Sequence, residues 1–201
     1  TQMSVPRMPE RGPEPPSRID LAAMLSLREA DLLPGHAAWS CGVAFLFIPV
    51  RDREAIARAK LRTDLWEKLL SGWWAKSVFP FTTDTVSKAA QIHARMFAPA
   101  MGVAEDPATG SAASALAGFL HALEQRDGDR RWLIEQGFEM GRPSLIELEA
   151  DIAGGRMSAV RVGGSSVLVS DGWIDAADDI RKIRNRDSKT PANGFALPPL
   201  Y

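Results

Sequence analysis

Residues 111–125, Ser-Ala-Ala-Ser-Ala-Leu-Ala-Gly-Phe-Leu-His-Ala-Leu-Glu-Gln, set the terms of the fold. At helical spacing, Ala112, Ala115, Leu116, Phe119, Leu120 and Leu123 form a wide apolar stripe. The remaining alanines leave little polar surface, so this helix has to be surrounded. The sequence downstream offers strands to do it. Residues 144–152 alternate, with Ile146, Leu148, Ala150 and Ile152 on one face and Glu147, Glu149 and Asp151 on the other. Gly154-Gly155 turns this strand into 157–162, Gly163-Gly164 turns that into 166–170, and Gly172 ends the series. Hairpin strands around one buried helix define an α+β fold: an antiparallel-rich sheet or barrel wrapped around a central helix at 111–125, not a doubly wound sheet. Gly118 lowers helix propensity, and close approach of a neighbouring strand is the expected reason.

Upstream, residues 2–5 read as the end of a strand whose partners are missing. Ser17-Arg18-Ile19-Asp20 resembles a capping box and precedes a helix with Leu21, Met24, Leu25 and Leu27. Residues 42–50 form a continuous apolar strand buried on both faces. Asp52 caps a helix bearing Ala55, Ile56 and Ala59, and another helix follows Thr63. Residues 76–82 and 91–97 read as strands, and 129–136 as a helix ended by Gly137. The division expected is 1–16 as the remnant of a preceding half, 17–177 as the main domain and 178–201 as a polar tail.

A chain of 201 residues with 45% hydrophobic content can bury a core without staples. Lys and Arg number 24 against 25 Asp and Glu, so no bulk field favours nucleic acid or an anionic membrane. One cysteine, Cys41, excludes an internal disulfide framework and a Cys-rich zinc site, and the expected compartment is the cytoplasm. No apolar run is long enough to span a bilayer, and no secretory leader is read at the start. His36, His93 and His121 lack metal spacing and read as surface or hydrogen-bonded structural residues, with His36 first to inspect. No metal and no cofactor is expected. The basic run at 181–189 reads as a solvated tail.

The chemistry gathers in Glu105-Asp106-Pro107-Ala108-Thr109-Gly110-Ser111, immediately before the central helix. A helix N-terminus presents N–H groups without partners and a partial positive charge. Gly110 lets a ligand approach its amide, and Ser111 adds a hydroxyl, which together make a seat for a carboxylate or phosphate. Asp106 stands beside it as a proton donor or acceptor. Asp followed by Pro also suits a helix N-cap and first turn. A second reading therefore stands beside the first: Asp106 caps the helix and Gly110 permits packing. Thr109-Gly110-Ser111-Ala112-Ala113 lacks the second glycine of a hydrolase nucleophile elbow.

Arg95-Met96-Phe97-Ala98-Pro99, Gly102 and the run 105–112 together resemble the signature of the PhzF-like (phenazine biosynthesis) isomerases. Gln136-Gly137 with Gly141-Arg142-Pro143-Ser144, and Val162-Gly163-Gly164, resemble further segments of that family, so the likeness runs from about Thr1 to Ile174. The resemblance implies a diaminopimelate-epimerase-like fold of two similar halves, each wrapping strands around a central helix, with the active site between the two helix N-termini. It implies cofactor-free acid/base proton transfer on a small carboxylate or amino-acid-like substrate. Asp106 would be catalytic, and Thr109, Gly110 and Ser111 would bind the small anionic substrate. Arg95 and Arg142 would be ions behind the site, or surface ion pairs. The family's main base is a glutamate in the other half, and no segment here matches it. With Thr1 at the start, the chain reads as truncated or fragmentary, covering the second half of the pattern. The alternative is a non-catalytic module that keeps an anion-binding or assembly surface. A related thiol racemase subgroup carries cysteine where this chain has Gly110-Ser111, so thiol racemisation is disfavoured. A homodimer is one candidate assembly.

Overall fold

The computed structural model describes residues 1–166 and Asp171. The strand expected at 166–170, apart from Ser166, and the tail at 178–201 lie outside the described residues. Among the described residues, no helix is long and apolar enough to cross a membrane.

The nine strands among the described residues are β1 (Gln2–Ser4), β2 (Glu10–Arg11), β3 (Ala37–Ser40), β4 (Ala44–Pro49), β5 (Ser77–Thr82), β6 (Ile92–Ala94), β7 (Gly128–Gln136), β8 (Ser144–Ala153) and β9 (Arg156–Gly163). They form one sheet in the order β1-β9-β8-β7-β6-β5-β4-β3-β2. Only β4–β5 and β6–β7 are parallel pairs, so the sheet is mixed with an antiparallel majority. The helices are α1 (Arg18–Met24), α2 (Arg53–Arg58), α3 (Thr63–Leu70) and α4 (Gly110–Glu124).

The sheet curls around α4, which packs against β2, β3, β4, β8 and β9. Residues 112–120 of α4 are all buried, as the all-round apolar pattern requires. Phe119 meets Phe47 and Phe81 with ring centroids 5.8 and 5.4 Å apart. A Cβ on Gly118 would lie 2.5 Å from both the Trp39 ring and Pro9, so close approach of the β2–β3 side accounts for this glycine. Strand β4 is buried on both faces. Phe45 and Phe47 face α4, while Leu46 and Ile48 pack with Leu21, Met24, Ile56 and Leu70 from the three short helices outside the sheet. Each such aromatic or aliphatic burial stabilises the fold by about 1.5–3 kcal/mol. The caps behave as expected: the Ser17 hydroxyl accepts from the Asp20 amide at 3.3 Å, and Asp52 Oδ1 accepts from the Ala55 amide at 2.8 Å.

Three sequence expectations need correction. Residues 129–136 are not helical but lie within β7, which pairs along its whole length with β8. Trp132, Ile134 and Gln136 point inward at every second position, and the ladder to β8 overrides a locally polar, helix-compatible composition. Upstream of 42–50, residues 37–40 form a strand of their own, because the chain reverses at Gly42 and β3 pairs with β4. Finally, the strand at 2–4 has its partner in this chain: Met3 lies opposite Val162 of β9. Since β2 borders β3 at the other edge, residues 5–9 link the two edges, and such a linker spans at most about 18 Å.

Candidate functional site

Gly110, the first residue of α4, lies near Val162 at the end of β9, whereas His121 toward the other end of the helix meets the turn at Gly155 through a 3.1 Å contact from Nε2 to the carbonyl. The loop carrying Glu105 and Asp106 therefore sits at one mouth of the curled sheet.

The two carboxylates of this loop diverge. Glu105 takes both Nε and Nη2 of Arg95, each at 2.7 Å. Nη1 of the same buried guanidinium donates to the carbonyls of Ile56 and Ala59 at 3.0 and 2.8 Å, and its plane lies over Phe97. Arg95 is thus not a surface ion; it ties the loop to the end of α2. Arg142 is exposed and makes no ion pair among the described residues.

Asp106 is half-buried and stays at the mouth. Its amide donates to the Met96 carbonyl at 2.9 Å, and its Oδ2 accepts from the Thr109 hydroxyl at 2.7 Å. Oδ1 has no donor among the described residues. Asp106 does not cap α4: the N-cap is Thr109, with Gly110 in the first helical turn. The proline after Asp106 keeps that residue out of helical geometry, and three more residues pass before the helix starts.

Gln136, at the end of β7, holds the loop. Its Oε1 accepts from the Thr109 amide at 3.2 Å, and its Nε2 donates to the Asp106 carbonyl at 2.6 Å and the Thr109 hydroxyl at 3.0 Å. Thr109 is buried, and its amide and hydroxyl are both engaged inside the protein. Gln136 carries no chemical signature in sequence. Its one trace is its place in the Gln136-Gly137 segment of the family likeness. The next residue, Gly137, has φ +81°, and a Cβ there would lie 2.8 Å from the Pro107 carbonyl.

Gly110 is different. A Cβ on it would meet only Val162, at 3.6 Å, an ordinary contact. Neither packing nor backbone strain requires glycine here. The residue opens onto a cavity of about 540 Å³ that it lines with Ala108, Ser144, Ile146, Val162 and Gly163. The Gly110 and Ser111 amides meet no acceptor among the described residues, and Ser111 is exposed. Asp106, Thr109 and Ser111 border the mouth without lining this cavity.

His36 lies elsewhere. It precedes β3 and follows Pro34, which shares a separate apolar cavity with Leu123 near the far end of α4. Among the described residues, no group of His, Cys, Asp and Glu side chains could hold a metal ion. Cys41 is half-buried, and burial pushes its thiol up to about 11.

The geometry is that of two amides without acceptors among the described residues at a helix mouth, with a half-buried carboxylate nearby, inside a sheet curled on a central helix. The family model for phenazine biosynthesis-like proteins matches residues 1–172, and the chain belongs to this family. It is 43% identical to an uncharacterized isomerase of Mesorhizobium japonicum over 69% of this chain and 47% of that protein. It is 47% identical to the trans-2,3-dihydro-3-hydroxyanthranilate isomerase of Pseudomonas aeruginosa over 39% of this chain and 28% of that one. A PhzF family protein of Bacillus anthracis shares the fold, with a TM-score of 0.72 at 21% identity over 82% of this chain and 56% of that chain. The chain spans about half the length of the first curated relatives it matches.

Proposed function

We propose that this chain forms one wall of an isomerase site that moves a proton within a small carboxylate or amino-acid-like substrate, without a cofactor. The amides of Gly110 and Ser111, with the Ser111 hydroxyl, hold the substrate carboxylate. Asp106 orients or protonates the substrate through Oδ1, while Thr109 fixes Oδ2. The main base, a glutamate, belongs to a half outside this chain, and general acid–base transfer needs it within hydrogen-bond reach. The observation that carries this reading is Gly110: a glycine that packing does not need, at a helix mouth, bordering a cavity.

Anthranilate is a suitable probe, being a small amino acid with an aromatic ring. It is expected to shift the Gly110 and Ser111 amide resonances saturably. Gly110→Ala is expected to keep the urea midpoint and weaken that binding about tenfold, a loss of about 1.4 kcal/mol. Absent shifts, or equal affinity in the variant, sink the proposal. A second reading, favoured by the Gly110 and Ser111 amides, which can hold an anion with no proton transfer, is a module that binds without turnover. Deuterium uptake into a dihydroanthranilate-type substrate by this chain alone in D₂O separates the two.

A further inference from the structure

Under the loop, on the side of the sheet away from α4, His93 of β6 stands between two carboxylates. Its Nδ1 lies 2.7 Å from Glu135 Oε1, and its Nε2 lies 2.8 Å from Glu139 Oε1. His93 and Glu135 are opposite each other in the β6–β7 register, and both are buried. A neutral imidazole has one N–H and would turn a lone pair toward one of these oxygens; the imidazolium donates to both. The Phe138 ring closes the pocket edge-on, 5.5 Å from the imidazole.

The two carboxylates are not equivalent. Glu135 also accepts from the amides of Val86 and Ser87, at 2.5 and 3.0 Å, and so remains satisfied without one proton on the ring. Glu139 has only His93 on Oε1, and its buried Oε2 meets no donor among the described residues. Loss of the Nε2 proton would leave the half-buried Glu139 carboxylate, with its buried Oε2, without a side-chain donor, which is the costly case. Glu139 lies in the tight turn 137–142, closed by the Arg142 amide on the Gly137 carbonyl at 2.9 Å. That turn packs on Pro107 through Gly137, and it follows directly from Gln136.

We infer that His93 is a positioning residue: its imidazolium ties Glu139 and the 137–142 turn to β6 and β7, and so holds Gln136 and Pro107 where they set Asp106 and Thr109. The functional weight of this clamp rests on the site reading above. The surrounding charges do not substitute for His93. Arg95, just past the end of β6, biases Glu139 toward its ionised form but is bound to Glu105. In the loop before β6, Asp84 is paired with Arg53 and Lys88 is exposed. Burial opposes charge on the ring, but the hydrogen bonds that the ring donates to Glu139 and Glu135 outweigh it and hold His93 above its ordinary value. Burial likewise opposes charge on Glu139, and the bond from His93 outweighs it, holding that carboxyl low.

The chain has three histidines, so ring resonances can be assigned and followed by NMR between about pH 5.5 and 9. His93 is expected to titrate above the ordinary imidazole value, and the Thr109 and Gly110 amides to move with its midpoint while Leu123 stays still. Glu139→Gln, which keeps size and shape, is expected to lower the His93 midpoint by about 1 pH unit and to weaken the amide response. Static Thr109 and Gly110 signals through the His93 titration, or an unchanged midpoint in Glu139→Gln, overturn the inference. No substrate enters this test. Failed anthranilate binding with an intact coupling would therefore remove the site reading and leave the clamp.

Discussion

Gly118 and Trp39 are packed so that a methyl group on the glycine would stand 2.5 Å from a carbon of the indole. Gly118→Ala gains about 1 kcal/mol in helix propensity. It also forces a ring that is wedged between α4 and the sheet to move, and overpacking of this kind costs about 1–3 kcal/mol. Pro9 stands equally close, which puts the cost at about 2–3 kcal/mol, so after the propensity gain Gly118→Ala is expected to lower the urea midpoint by the equivalent of about 1–2 kcal/mol. A midpoint at or above wild type would show that Trp39 yields freely.

Gln136→Leu is expected to destabilise the chain by about 2–4 kcal/mol, because it strands the Thr109 amide and the Asp106 carbonyl. Hydrogen exchange at Thr109 should speed up much more than at Phe119. Equal loss of protection at both would mean that Gln136 supports the fold generally and not the loop.

The divergence of Glu105 and Asp106 separates two effects. Glu105→Gln breaks a charged two-point bond to Arg95 and is expected to cost about 2 kcal/mol while leaving anthranilate affinity of the folded fraction unchanged. Asp106→Asn is expected to stay within about 1 kcal/mol of wild type, because its side-chain oxygen still accepts from Thr109, yet to abolish proton exchange in a complete enzyme. Denaturation curves and deuterium uptake together check the pair.

Asp31, 1% exposed, is ringed by Arg28, Arg51 and Arg58. The hydrogen bonds from Arg28 outweigh burial and hold its carboxyl at about 2, below an ordinary 3.8. A carboxyl depressed in the folded state stabilises that state above the unfolded value, and the benefit is lost as pH falls through the folded one. The melting temperature of the wild type should therefore drop between about pH 4 and 2, more steeply than that of Asp31→Asn. Parallel curves would remove Asp31 from the acid response.

Much of this architecture was legible because it rests on local pattern. The alanine-rich run announced a buried helix, the period-two alternation of 144–152 announced a strand, and the Gly154-Gly155 turn announced its hairpin partner. What escaped depends on long-range partners. Residues 128–136 take their strand form from β8, and nothing local distinguishes Arg-Arg-Trp-Leu-Ile-Glu from a helix. The site divides the same way. The sequence put Gly110 and Ser111 at a helix mouth, and the structure has them in the first turn of α4. That Glu105 turns back to Arg95, and that Gln136 holds both Asp106 and Thr109, follows from distant packing. The helix starts after Thr109, three residues beyond Asp106, and no side chain caps it.

The two edges of the sheet give the N-terminal stretch a further importance. The Gly164 amide donates to the Thr1 carbonyl at 3.0 Å beside the β1–β9 ladder, and residues 10–11 cover β3 on the opposite border. These few residues are a seam that can close only after both borders are in place, so its closure belongs late in folding. Opening the seam leaves β9 and β3 as bare templates for strand pairing between molecules. Residues 2–4 and 10–11 thus shield both borders against pairing between molecules, a protection separate from the strength of the core.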